Sequence, residues 1–142
     1  TDIRVAGESA QFGVTEVQRG LFPMSGSAVR LRRQVSYAVA AEMLLAGEDL
    51  SAPRAYELGL INHVVPDGDA LSKAREIAER IAANGPIAVK AILATLRETE
   101  NLSEAQAFEV EQRHGMAVFA SADAVEGPRA FLEKRKPVFT GK

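Results

Sequence analysis

Glu16 is the residue of this chain best placed to do chemistry. It follows a strand-like segment closed by Gly13 and precedes a Gly-Leu-Phe-Pro break, so it stands on irregular backbone held between fixed elements. Catalytic groups concentrate on such loops because a rigid scaffold aims them. Val14, Val17, Leu21 and Phe22 flank it. A carboxyl in an apolar surround holds its proton more tightly and can serve as a general acid. The competing reading is a solvated turn glutamate, which spacing alone favours because most acids are exposed.

Two further constellations carry the same kind of choice. Met24-Ser25-Gly26-Ser27 is a small-residue loop opening a helix. It could hold an anion or a thioester oxygen at the helix N-terminus, or it could be an ordinary capped turn with Ser as N-cap. It lacks the Gly-x-x-x-x-Gly-Lys spacing of a phosphate loop. Lys134, Arg135 and Lys136 follow Phe131 at a predicted helix end. They could simply complement the helix dipole. Alternatively they contact a phosphate-bearing ligand, with Phe131 against an aromatic or pantetheine-like group. His63 lies in a strand and His114 in mid-helix, neither with a second His or a Cys at metal spacing, so both read as structural and no metal site is expected. Asp67 with Asp69, and Glu109 with Glu111, are ordinary surface pairs. No Ser has a His and an acid in a recognisable hydrolase arrangement.

The elements that must position these groups can be read in order. Ile3, Val5 and Ala6 predict a short strand ended by Gly7, and Ala10 to Gly13 a second. Neither has an evident partner downstream, so both are expected to need a sheet from elsewhere. Residues 14–22 read as irregular or partly helical up to Pro23. Short helices are predicted over 28–34, from the Ser36 cap to Gly47, and from the Ser51 cap to Gly59, with a third strand over 61–65. Four longer helices follow, over 70–83, 86–99, 103–119 and 122–136. The organisation is α/β over 1–66 and all helical over 67–142.

Composition limits the function classes. The chain has 142 residues, net charge −2, no Cys and few aromatics. That length suffices for one core, and the Ala-rich aliphatic mix suits packed helices. There is no global basic character to attract nucleic acid. Disulfide, thiolate and Cys-ligated metal chemistry are excluded. No apolar run reaches membrane-spanning length. A cytoplasmic setting is the expectation. The chain opens on a strand pattern without Met, which reads as a chain entered in its middle.

With these residues in place, DIRVAGESAQFGVTEVQRGLFPMSGSAVRL resembles the enoyl-CoA hydratase/isomerase (crotonase) family. The likeness continues through AAEMLLAGEDLSAPRAYELGLINHVVP, IAANGPIAVKAI and EGPRAFLEKRKPVF, in the family's order, and covers essentially the whole chain. The resemblance implies the last turns of a crotonase-like spiral α/β core followed by a helical C-terminal trimerisation region. It implies homo-trimers or dimers of trimers that bind acyl-CoA thioesters and hydrate 2-trans-enoyl-CoA. No cofactor is implied beyond the coenzyme A carried by the substrate. Glu16 falls on the family's second catalytic glutamate, which moves the proton at the substrate α-carbon. Pro23, Gly26, Phe131 and Lys134 fall on substrate- or CoA-binding positions. An isomerase is the close alternative, and a catalytically incomplete fragment or helical assembly module is the alternative of another class. Three departures stand out. Thr15 replaces a Pro, and Met24-Ser25-Gly26-Ser27 replaces Gly-Ala-Gly-Gly. The Gly-Gly-Gly-x-Glu segment with the first glutamate and one oxyanion N–H is expected upstream of Thr1.

Overall fold

A computed structural model describes all residues, Thr1–Lys142. They divide into two compact units, Thr1–Glu76 and Ile77–Lys142. The division by packing at residue 76 and the change from mixed to helical elements at residue 66 are different properties of the chain.

In the first unit four short strands alternate with helices: β1 (Val5–Gly7), β2 (Gln11–Phe12), α1 (Ser27–Gln34), α2 (Tyr37–Ala46), β3 (Leu50–Ser51), α3 (Ala52–Glu57) and β4 (His63–Val65). The expectation that the first two strands lack partners is overturned. β1 pairs in parallel with β4, Val5 opposite His63, and β2 pairs antiparallel with β3, Phe12 opposite Leu50. The partners lie far downstream, and period-2 patterning over two or three residues is too short to announce a pairing. Arg4 ties the parallel pair further. Its carbonyl accepts from the His63 amide at 3.2 Å, its amide donates to Asn62 Oδ1 at 2.8 Å, and its guanidinium reaches the Leu60 carbonyl. The sequence predicts Ser51 as a helix cap and no strand at Leu50–Ser51, where β3 is found. Ser51 is both a strand residue and the N-cap of α3, its hydroxyl accepting from the Arg54 amide at 3.4 Å.

The core of this unit is small and aliphatic. Ala6, Leu31, Ala40, Met43, Ala52, Ala55, Leu60 and Ile61 form it, with Phe12, Val39 and Leu44 packed on its edge. Ala52 and Ala55 are fully buried. Their small side chains let α3 lie directly on the strands, where a larger residue would overpack the site. Ser36 caps α2, and Gly47 closes it at φ 70°.

The second unit contains the end of α4 (Ala70–Ala82), then α5 (Pro86–Glu98), α6 (Glu104–Phe119) and α7 (Ala122–Leu132). Ser103 and Gln106 form a reciprocal capping box at the start of α6. Glu98 joins α5 to α6, with Arg113 Nη2 at 2.7 Å and His114 Nε2 at 3.1 Å. The last helix ends four residues short of the expected limit at Lys136. Glu133 is its C-cap, and Lys134 turns left-handed at φ 54°.

Candidate active site and ligand-binding turn

Glu16 opens a single 3-10 turn, Glu16–Arg19. The turn is held at both ends. Gly20, at φ 68°, closes it by donating to the carbonyls of Glu16 and Val17. Thr15, at φ −96°, precedes it, and Arg19 Nη1 reaches back to the Thr15 carbonyl and hydroxyl at 3.3 Å each. Thr in place of Pro thus gives the turn an oxygen that proline lacks.

The turn is fastened to the end of α2. Gln18 Nε2 donates to the Gly47 carbonyl at 2.7 Å. A methyl at Gly47 would lie 2.9 Å from Gln18 Cγ and 3.0 Å from Val17 Cγ1. Gly47 is therefore required twice: by its left-handed backbone and by the approach of the turn that carries Glu16. Sequence reading took Gly47 only as a helix terminator. Nothing in a Gln-Gly separation of this size signals the contact.

Glu16 itself is half-buried, and no side-chain hydrogen bond or ion pair engages its carboxylate. The apolar surround expected for it is not formed within this unit. Leu21 is 61% and Phe22 71% exposed, because the chain turns outward after Gly20. Pro23 is buried, and Gly26 stands at φ 88° as the N-cap of α1. The expected serine cap is corrected here. No side chain caps α1; Ser27 lies inside the first turn, and its hydroxyl donates to the Met24 carbonyl at 3.2 Å. Arg30 folds back over the loop, Nη1 to the Ser25 carbonyl at 3.1 Å. Ser25 is left-handed at φ 61°, a conformation that costs a non-glycine residue about 1 kcal/mol. Glu16, Pro23 and Gly26 thus lie on one continuous, braced segment of the first unit.

Phe131 and Lys134 belong to the second unit, where the nine residues after the C-cap of α7, 134–142, form the C-terminal tail. Phe131 is 83% exposed, and Lys134 is exposed as well. The tail folds back along α7. The Arg135 amide donates to the Ala130 carbonyl at 3.0 Å and the Lys134 amide to the Phe131 carbonyl at 3.2 Å. This pair of bonds is a Schellman closure, with lysine where glycine is usual. The Arg135 guanidinium then grips Glu126 with both fork nitrogens, at 2.6 and 2.9 Å, and Glu133 with Nε at 2.6 Å. Further along, the Val138 amide donates to Glu126 at 2.8 Å. Thr140 and Gly141 donate backbone amides to the buried Asp123 carboxylate at 2.7 and 2.9 Å. Phe139 lies against Gly85 and Gly127. The Arg135 hydrogen bonds and the Val138 amide hold the Glu126 carboxyl far below the usual carboxylate range, at about 2. Arg129, then Arg135, lower Glu133 as well. The basic run thereby separates into an internally paired Arg135 and an exposed Lys134. This correction to a uniform basic helix end follows from the left-handed turn.

The enoyl-CoA hydratase/isomerase family model matches residues 1–142. This chain belongs to that family. Enoyl-CoA hydratase EchA19 of Mycobacterium tuberculosis is 57% identical over 142 residues, which cover 100% of this chain and 53% of that protein. The 2,3-dehydroadipyl-CoA hydratase of Escherichia coli is 35% identical over 141 residues, covering 99% of this chain and 55% of that protein. A crystal structure of an enoyl-CoA hydratase from Mycobacterium tuberculosis superposes with a TM-score of 0.93 at 42% identity, covering 100% of this chain and 56% of that one. The fold is therefore that of the crotonase family, and the chain spans about half the length of the curated relatives it matches.

Proposed function

We propose that the chain is the C-terminal half of an enoyl-CoA hydratase and that Glu16 is the group that moves the proton at the substrate α-carbon. The observation that carries this reading is the 57% identity to an enoyl-CoA hydratase along all 142 residues. Hydration adds a water oxygen to C3 of the enoyl thioester and a proton to C2. Glu16, on a turn clamped by Gly20 and Gly47, is suited to giving that proton and taking it back in the reverse direction. The thioester enolate formed between those steps needs hydrogen-bond donors at its oxygen. Those donors, and a carboxylate to orient the water, are assigned to the preceding half of the enzyme. Pro23 and Gly26 shape the wall of the acyl-thioester site. Phe131 and Lys134 contact the CoA moiety, Lys134 as a cation for phosphate. The substrate carries coenzyme A itself, so no separate cofactor is required. The enzyme works in fatty-acid degradation in the cytoplasm, as a homo-trimer or dimer of trimers built through α4–α7.

The test is turnover of crotonyl-CoA by the full-length protein and its Glu16→Gln variant. Loss of a positioned acid/base group lowers kcat by roughly 10²–10⁴-fold. Formation of 3-hydroxybutyryl-CoA identifies a hydratase. With 3-enoyl-CoA as substrate, double-bond migration without hydration would identify an isomerase instead.

A further inference from the structure

Lys134 is one of two non-glycine residues in the chain with positive φ. The position it occupies, the first beyond the C-cap of α7, is one where glycine is the unstrained choice. A residue kept in a disfavoured backbone state is held there by its surroundings, and such states gather at ligand contacts. The surroundings here are specific. Arg135, the next residue, is gripped from two sides by Glu126 and Glu133, and Val138 is fastened to the same Glu126 carboxylate. Asp123, 7% exposed, takes the amides of Thr140 and Gly141. Charged clamps of this kind, with the fork of Arg matched to a carboxylate, fix geometry as well as energy.

We propose that Glu126 and Arg135 are positioning residues for CoA binding: their bidentate pair locks the left-handed turn at Lys134, so that the Lys134 side chain leaves the tail from a fixed backbone, in a set direction for a phosphate of the ligand. The inference rests on the reading of Lys134 as a CoA contact and extends it to two residues that touch no ligand. The pair leaves the chemistry at Glu16 alone. Its effect is confined to the phosphate-bearing end of the substrate, because a lysine carried on a fixed backbone loses less freedom on binding than one on a mobile tail.

The experiment compares Arg135→Gln, Arg135→Lys and Lys134→Ala in the full-length enzyme with two substrates, crotonyl-CoA and crotonyl-pantetheine, which lacks the phosphates. For Arg135→Gln we expect KM for crotonyl-CoA to rise about 3- to 10-fold, the range for releasing one pre-ordered side chain, at unchanged kcat. Crotonyl-pantetheine turnover should not change. Arg135→Lys keeps the charge but not the fork and should fall between wild type and Arg135→Gln. A parallel fall in kcat/KM for both substrates would overturn the proposal, because it would mark general structural damage; a misfolded Arg135→Gln leaves the same comparison to Arg135→Lys. An unchanged KM for crotonyl-CoA in both Arg135 variants would overturn it too. An unchanged KM in Lys134→Ala would sink the underlying assignment of Lys134, a result separable from either Arg135 outcome.

Discussion

Gly47 and Lys134 are both left-handed, at φ 70° and 54°, and they illustrate opposite uses of that conformation. At Gly47 glycine is there because nothing else fits. Gly47→Ala must place its methyl against Gln18 and Val17 while adopting a backbone that alanine avoids. We expect it to cost about 1–3 kcal/mol in urea unfolding, the usual cost of a strained backbone position. A change within the ~0.5 kcal/mol scatter of neutral surface substitutions would mean that the turn is not braced there. At Lys134 the residue is present despite the backbone. Lys134→Gly should therefore raise stability by about 1 kcal/mol, and under the proposed CoA contact it should also raise KM for crotonyl-CoA, a trade measurable by thermal unfolding and KM together. Neither the contact at Gly47 nor the left-handed turn at Lys134 was legible in the sequence. A glycine after a helix reads as a terminator, and a lysine in a basic run gives no sign of a positive φ. The irregular backbone around Glu16 made it a candidate, but spacing favours a solvated turn glutamate, and it is the family pattern that points to a role in proton transfer.

At the scale of elements, the helices were the most legible part. Ser36, Ser51, Ser103 and Ser121 cap α2, α3, α6 and α7 through their hydroxyls, and helical periodicity carries over many residues. Three of the four strands were legible; β3, two residues running straight into α3, was not, and the β1–β4 pairing was hidden by the distance between Val5 and His63. The end of α7 was misplaced because Glu133, Lys134 and Arg135 are all good helix formers, and local propensity favours continuing the helix. Tertiary ion pairs decide otherwise. The tail they hold has a pH signature. The Glu126 carboxyl is depressed from the ordinary 4.5 to about 2 by Arg135 and the Val138 amide. A depressed folded-state value means that the clamp's contribution is fully present above about 4.5 and is lost as pH falls toward 2. Hydrogen exchange of the Val138 amide, corrected for intrinsic rate, should stay slow through pH 4 and accelerate only below about 3. Acceleration between pH 5 and 4 would show that the carboxylate titrates as an unpaired one.

The molecule as a whole leaves much apolar surface open. Leu45, Ile92, Leu96, Met116, Phe119, Phe131 and Leu132 are each more than half exposed. A cavity of about 420 Å³ between α5 and α6 is lined by Ala91, Ile92, Thr95, Leu96, His114 and Phe119. Surfaces of this extent mark contacts with other chains or segments. The 15.2 kDa chain on its own is therefore expected to sediment above its monomer mass and to bind a hydrophobic dye. A dye-silent monomer at micromolar concentration would contradict that expectation. In the proposed reading Glu16 works against donors assigned to the preceding half of the enzyme, so its role is a property of the full-length protein. Its role is tested most directly by α-proton exchange of 3-hydroxybutyryl-CoA in heavy water, followed by proton NMR, with full-length wild type and Glu16→Gln. We expect wild type to exchange the α-proton and the variant to be slowed by at least about 10²-fold at unchanged fold. Exchange by Glu16→Gln at the wild-type rate would show that another group moves the proton.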